Sequence, residues 1–325
     1  MNNYKNVLIT GGCGAIGSGV LNYLKKMYPH IFFINLDNLT YAANPKNIEN
    51  QDNKYLLIKG NICDIDFVKE IFLKYKPECI IHLAAETHVD NSFGNSLVFT
   101  HTNILGTHVL LECCRYYMEI YPNNLKLFLH MSTDEVYGSV QDNEDAKIEN
   151  SLCLPSNPYS ATKAGAEMLC QAYLKSFKIP IIITRCNNAI SKFQHEEKLI
   201  PRTISLFLQN KKMTIHGNGS SKRTFIHVND IASALNLIIN KGTIGKIYNI
   251  GSHIEKSVIE VVKFILNIMK PGEILDEWIE FVEDRAFQDY RYYINTTELN
   301  NLGWKENISF ENAVNEIIKY RNLHK

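Results

Sequence analysis

The sequence predicts an α/β fold, a doubly wound parallel sheet with a smaller C-terminal lobe. Short apolar runs recur through the first half of the chain, helical patterns alternate with them, and after about Thr184 the alternation gives way to long connections and late helices. Runs that are apolar at every position suit strands covered on both faces, as in a parallel sheet. The strands read in order as NVLIT, IFFINL, YLLIKG, CIIHLAA, LKLFLHM and PIIIT. Between them IGSGVLNYLKKMY, DFVKEIFLKY, NILGTHVLLECCRYYMEIY and YSATKAGAEMLCQAYLKSF carry helical periodicity. Strand–helix alternation with right-handed crossovers gives a first domain over 1–183, completed by part of 221–250. Residues 184–325, with helices VIEVVKFILNIM and SFENAVNEIIKY, are expected to form mainly a lobe closing over the sheet's C-terminal edge. Ligands of such folds sit at that edge.

The bulk numbers narrow the function classes. With 325 residues, 45% hydrophobic and 21% charged, this is the composition of an ordinary globular protein with room for a large core. The formal net charge is zero and no basic face is visible, so nucleic acid is not an expected partner. No apolar run approaches the roughly 20 residues that span a bilayer. The apolar part of MNNYKNVLIT is too short for a signal peptide, and a soluble, cytoplasmic protein is expected. The eight cysteines form neither a C-x-x-C pair nor a zinc-like spacing with histidine. Cys79, Cys113, Cys114, Cys170 and Cys186 lie in apolar stretches and read as reduced, buried small hydrophobes; no metal site is expected.

The first strand runs directly into GGCGAIGSG and then a helix. Gly11, Gly14 and Gly17 give G-x-x-G-x-x-G, a spacing that lets backbone turn tightly and approach a pyrophosphate at a helix N-terminus. Asp37 ends the second strand, about 20 residues past Gly17, where a carboxylate accepts from ribose hydroxyls and repels a 2′-phosphate. The reading is a Rossmann-type turn that takes NAD rather than NADP. In HLAAE, small Ala84 and Ala85 either let a ligand pass close to the backbone or serve tight helix packing.

In NPYSATKAG, Asn157 and Pro158 start a helix, so Tyr159 and Lys163, four residues apart, share a face. An ammonium beside a phenol is expected to lower the tyrosine pKa and make it a base near neutral pH. Asp134 and Glu135 follow the strand LKLFLHM directly, in HMSTDEVYG. Adjacent acids at a strand tip are usually a solvated turn. Beside a cofactor they become complementary if one is neutral while the other is ionised. Because successive strand residues face opposite sides, the strand must stop near Thr133 for both to meet one substrate.

Taken together, TGGCGAIG, Asp37, HLAAETHVDNS, STDEVYG and PYSATK resemble the extended short-chain dehydrogenases/reductases over nearly the whole chain. Thr133-Asp134-Glu135, LDNLTYAAN and EKLIP are similar to the nucleoside-diphosphate-glucose 4,6-dehydratases. TRCNNA, IHGNGSSKRTFIHVNDIA and FVEDRAFQDYRYYINTTELNNLGW most resemble the dehydratase domain of UDP-rhamnose synthases, and Phe287-Gln288-Asp289 stands where dTDP-glucose enzymes usually have Gly-His-Asp. The resemblance implies a redox-neutral elimination on UDP-glucose, or alternatively dTDP-glucose, with tightly bound NAD and a homodimer built by helix packing. Tyr159 would take the 4-hydroxyl proton, Thr133 hold that oxygen, Glu135 remove the C5 proton and Asp134 protonate the departing 6-hydroxyl.

The same resemblance implies cofactor contacts at Ala15, Ile16, Asn38, Thr40, Asn61, Ile62, Leu83 and Thr102 besides the residues above. It implies substrate contacts at Asn188, Lys198, Leu199, Arg223, Arg285 and Gln288; His88 is either a further contact or a histidine satisfied by loop carbonyls. The chain departs from the family pattern at Asn61 (usually Asp), Ala15 (usually Phe), Ala43 (usually Gly) and Ala189-Ile190-Ser191-Lys192. Asp134 separates the readings: a C4 epimerase needs no such acid pair, a UDP-glucuronate decarboxylase normally has Ser there, and a non-catalytic NAD binder could lose the acids or Tyr159.

Overall fold

The computed structural model of the protein describes residues 1–284 and 288–323. Each apolar run of the first half forms a strand: β1 (Asn6–Thr10), β2 (Phe32–Asp37), β3 (Tyr55–Lys59), β4 (Cys79–His82), β5 (Leu127–Thr133) and β6 (Ile181–Cys186). The helices between them are α1 (Ala15–Met27), α2 (Ile65–Tyr75), the short α3 (Val89–Gly94) and α4 (Ser96–Phe99), α5 (Gly106–Ile120) and α6 (Pro158–Phe177). Then follow β7 (Asn188–Ile190), α7 (Leu199–Leu208), β8 (Met213–His216), β9 (Lys222–His227), α8 (Val228–Lys241) and β10 (Ile247–Ile250). The last elements are β11 (Glu255–Ser257), α9 (Val258–Met269), α10 (Leu275–Trp278), β12 (Ile279–Val282), α11 (Thr297–Asn301) and α12 (Phe310–Leu323).

Seven strands make one sheet in the order β10-β6-β5-β4-β1-β2-β3, every pair parallel. The order reverses between β1 and β4, which opens a ligand crevice beyond their C-terminal ends. Both residue parities of these strands are apolar because both faces are covered. Val7 and Ile9 pack in the layer of α1 and α8, with Leu21, Leu24, Ile231 and Leu235. Leu8 faces the layer of α2, α5 and α6, with Phe72, Leu110, Cys114 and Cys170. Full burial of one such side chain is worth about 1.5–3 kcal/mol, which offsets the ordering of its own residue.

The sheet layer of the first domain takes in residues beyond 183, with α8 and β10 lying within 221–250. Strand β6 continues to Cys186, because its register with β5 holds until Thr133 meets Cys186. The seventh strand, β10, pairs with β6 from Ile247↔Ile183 onward, and α8 just before it packs on α1. The later part of the chain thus completes the sheet layer begun at residue 6. Apart from α11, whose Leu299 packs with β10 in the first-domain layer, the remaining elements form a lobe of two small sheets, β11-β9-β7 and β12-β8, around a core that includes Ile204, Phe207, Ile215, Val262 and Val314.

Local signals set the helix ends. Asn157 accepts from the Ser160 amide and Ser160 reciprocates, with Pro158 in the first turn of α6. The expected helix around NILG begins instead as a π-helical turn, Thr100–Leu105, continuous with α5. Wide turns of this kind re-aim side chains at functional sites. Here Asn103 donates to Glu86 O and Thr162 Oγ1, both at 3.0 Å, and accepts from the Glu86 amide at 2.9 Å. It ties the loop after β4 to α6. All eight cysteines are free, and among the described residues none joins a metal-type cluster. No described helix is long and apolar enough to cross a membrane.

Candidate active site

One cleft runs along the C-terminal ends of β1, β2, β4, β5 and β6, and all the residues expected above at the cofactor line it. Gly11 has φ +72°, and a Cβ there would stand 2.6 Å from Ala84 Cα. At Gly17 a Cβ would lie 2.0 Å from the Gly11 carbonyl oxygen. The turn therefore closes only on glycine and brings bare backbone against Ala84. Gly14 begins α1 without a capping side chain, so the first helix amides are left to an anion. Asp37 Oδ2 and Oδ1 accept from the Cys13 and Leu39 amides, each at 2.8 Å, and each oxygen keeps a lone pair for a ribose hydroxyl. Asn61, exposed at the edge of the same cleft, accepts from the Cys63 amide at 2.9 Å. The residues present fit a dinucleotide without a 2′-phosphate. Gly17→Ala overpacks the turn by about 1–3 kcal/mol; calorimetric titration with NAD is expected to show a Kd raised about tenfold or more.

The two acids sit where a helical turn replaces the strand. β5 ends at Thr133 and Asp134–Tyr137 form one 3₁₀ turn, so Asp134 and Glu135 no longer alternate but line the cleft together. The Thr133 hydroxyl bridges them, donating to Asp134 Oδ1 at 3.2 Å and accepting the Glu135 amide at 3.3 Å. Asn187 Nδ2 donates to Asp134 Oδ2 at 2.6 Å, and Asn157 Nδ2 to Glu135 Oε2 at 3.4 Å. Burial, then the charge of Glu135, pushes Asp134 up to about 7. Burial raises Glu135 as well, but Arg223 and Lys198 oppose the rise. The arrangement thus favours a proton on Asp134 and a charge on Glu135 at neutral pH.

That tuning has a stability consequence. Asp134 binds its proton more tightly in the folded chain than in the unfolded one, where a carboxyl titrates near 3.9. Stability is therefore lost as pH rises from about 4 to about 7, and it stays lowered above that window. Asp134→Asn is expected to melt higher than wild type at pH 8, with the gain vanishing by pH 4 in scanning calorimetry.

Tyr159 and Lys163 share the cleft-facing side of α6, but their coupling differs from the sequence expectation. Lys163 Nζ donates to the Met131 carbonyl at 2.7 Å, and burial lowers its pKa to about 8. Tyr159 is raised rather than lowered, by burial first and then by the charges of Glu135 and Asp134; only the Thr133 hydroxyl opposes the shift. The physical reason is placement: a buried ammonium needs an acceptor, the strand carbonyl provides one, and the phenol is left among carboxylates.

Of the expected substrate residues, Asn188, Lys198 and Leu199 line the cleft together with Thr133, and Lys198 Nζ donates to Thr87 O at 3.0 Å. The others differ. His88 precedes α3 off the cleft wall, and its Nδ1 has no partner among the described residues, loop carbonyls included. Arg223 was expected to offer its fork to phosphate; its guanidinium instead donates to the carbonyls of Lys222, Asp289 and Tyr290 and lies 4.6 Å from the Tyr292 ring centroid. Gln288 donates to Ser221 Oγ away from the cleft lining. Arg285 lies outside the described residues. Sequence reasoning missed Ser132, Asn187, Gln194 and Phe225 on the cleft wall, and Tyr292, which contacts Glu135 Oε2 at 3.3 Å. The rule that ligands meet the ends of parallel strands could have found Ser132 and Asn187, at the tips of β5 and β6.

A glycine turn closed on β4, an acid ending β2, and a Tyr-x-x-x-Lys helix beside the tip of β5 define an extended short-chain dehydrogenase/reductase. The chain belongs to the GDP-mannose 4,6 dehydratase family, whose pattern it matches over residues 8–317. It is 43% identical to a dTDP-D-glucose 4,6-dehydratase of Dictyostelium discoideum over 98% of this chain and 82% of that one. It is 42% identical to a trifunctional UDP-glucose 4,6-dehydratase/UDP-4-keto-6-deoxy-D-glucose 3,5-epimerase/UDP-4-keto-L-rhamnose-reductase of Arabidopsis thaliana, over 97% of this chain but 47% of that protein. Among solved structures, dTDP-glucose 4,6-dehydratase of Streptomyces venezuelae, crystallised with NAD, superposes with a TM-score of 0.90 at 32% identity, covering 98% of this chain and 97% of that one.

Proposed function

We propose that the protein is a UDP-glucose 4,6-dehydratase that converts its substrate to UDP-4-keto-6-deoxyglucose and water on bound NAD. The observation that carries the proposal is the acid pair on one turn after Thr133, with Asp134 pushed up to about 7 beside Glu135. Bound NAD supplies a hydride acceptor for C4 and a hydride donor for C6. Tyr159 takes the proton of the 4-hydroxyl while Thr133 holds that oxygen. Tyr159 lines the cleft that would hold the dinucleotide, and the positive charge of an oxidised cofactor bound there would favour its phenolate against the rise that burial imposes. With C4 a ketone, the C5 hydrogen is acidic and Glu135 removes it. Asp134 then delivers its proton to the 6-hydroxyl, which leaves as water with the electron pair of the C6–O bond and leaves a C5–C6 double bond; as C6 gains its hydride, Glu135 returns a proton to C5. Lys163 keeps the β5 tip and α6 in register through Met131 O.

Support for the uridine nucleotide comes from the stretch around Gln288-Asp289 and from the plant relative; the slime-mould relative supports dTDP-glucose as the alternative. The two bases differ by one methyl group, worth about 1–3 kcal/mol. Incubation with each sugar nucleotide, followed by mass spectrometry for loss of one water, is expected to give a higher kcat/KM with UDP-glucose. Water loss from neither substrate would sink the dehydratase reading. The protein is further proposed to be a homodimer through α5 and α6, which leave Tyr116, Ile120, Met168 and Phe177 exposed. A monomeric mass in light scattering at micromolar concentration would count against it.

A further inference from the structure

Tyr292 stands between two carboxylates. Its hydroxyl lies 3.3 Å from Glu135 Oε2 and in closer contact with Asp289 Oδ2. A phenol has one proton, so it donates to one carboxylate and turns lone pairs toward the other. Asp289 is 3% exposed; its Oδ2 also accepts from Ser156 Oγ at 2.5 Å, and its Oδ1 has no hydrogen-bond partner among the described residues. Arg223, stacked on Tyr292, gives its bond at this residue to the Asp289 backbone carbonyl at 3.0 Å, not to the carboxylate. The Asp289 carboxylate therefore meets two hydroxyl donors, and among the described residues no ammonium or guanidinium bonds it.

We infer that Asp289 is a positioning residue of the reaction: it accepts the Tyr292 hydrogen bond, turns the phenol oxygen's lone pairs toward Glu135, and so keeps Glu135 basic enough to take a proton from carbon. The inference rests on the reading of Glu135 as the general base. The groups that face Glu135 are Asp134 on its own turn, Tyr159 from α6, Lys198 before α7, Arg223 from β9, and Asp289 and Tyr292 from the segment after β12. The two cations favour the ionised, weakly basic form. Asp289 opposes them, both through space and by directing the phenol. Without it, the Tyr292 hydroxyl is free to rotate and donate to Glu135, which would stabilise the carboxylate and weaken the base.

The test follows the titration of Glu135 by carbon NMR of glutamate-labelled protein, with the signal assigned from Glu135→Gln. Asp289→Asn keeps the shape and removes the charge; it is expected to lower the Glu135 midpoint by about one pH unit. In a Tyr292→Phe background, which has no hydroxyl to rotate, the same substitution is expected to move the midpoint by less than half as much. Asp289→Glu, which keeps the charge, is expected to hold the wild-type midpoint. Solvent deuterium uptake at C5 should fall about threefold in Asp289→Asn, because a partly transferred proton feels only part of one unit of lost basicity. No shift, or equal shifts in both backgrounds, would overturn the positioning role. If the shift holds while the wild-type protein dehydrates no sugar nucleotide, the tuning of Glu135 stands and the proposed reaction falls.

Discussion

Glu135→Gln is expected to stop solvent deuterium entering C5 and to slow water release by about 10²–10⁴-fold, the usual worth of a placed general base. Glutamine fills the same volume and still accepts from Asn157, so the cleft should keep its shape. Asp134→Asn separates the two acids. It leaves Glu135 in place, so exchange at C5 should persist, while water release falls by a comparable factor because the 6-hydroxyl receives no proton. Mass spectrometry of product formed in deuterated water reads both steps at once. Wild-type water release from either variant would remove the acid pair from the chemistry. The wild-type rate itself should decline as pH rises past about 7, where Asp134 loses the proton it must deliver.

Tyr159→Phe is expected to lower kcat by about 10²–10⁴-fold while leaving NAD affinity near wild type. The ring remains packed edge-on to Phe99, with centroids 6.3 Å apart, and only the hydroxyl is lost. The failure should come at the first step, since without the phenol nothing placed beside Thr133 accepts the 4-hydroxyl proton. Rapid mixing with substrate should then show no transient reduced-nicotinamide absorbance. Because burial and the acid pair raise Tyr159, the first step should speed up as pH rises. A pH-independent first step would show that another group is the base.

Much of this was legible locally. Continuous apolar runs became the strands because both faces of a parallel sheet are dry. The glycine turn, Asp37 and the acids after Thr133 are each read within a few residues of one strand end. What could not be read lies at long sequence separation or in polar local sequence. The four-residue strand IYNI carries Asn249, a poor strand signal, yet that side chain is fully buried and bonded to Tyr137, Lys147 and Asn295. Tyr292 meets Glu135 across 157 residues, with no periodicity to announce it. The phenol–ammonium coupling failed for a different reason: helical spacing fixes a shared face, but which acceptor a buried ammonium takes is decided by a carbonyl on another element. Arg223 went the same way, held by the carbonyls of a returning segment.

The return of α8 and β10 to the first domain bears on how the chain is made. Tyr28, at the end of α1, gives its hydroxyl to Asn236, 208 residues later. A ribosome adding about 5–20 residues per second separates these partners by roughly 10–40 s. Through that interval one side of the nascent sheet, with Val20, Leu21 and Leu24, lacks its cover, and β6 presents an unpaired edge. A fragment ending at residue 183 is thus expected to accumulate in inclusion bodies, although it holds the whole glycine turn, Tyr159 and Lys163. Newly synthesised chains should depend on holdase chaperones until residue 250 has emerged.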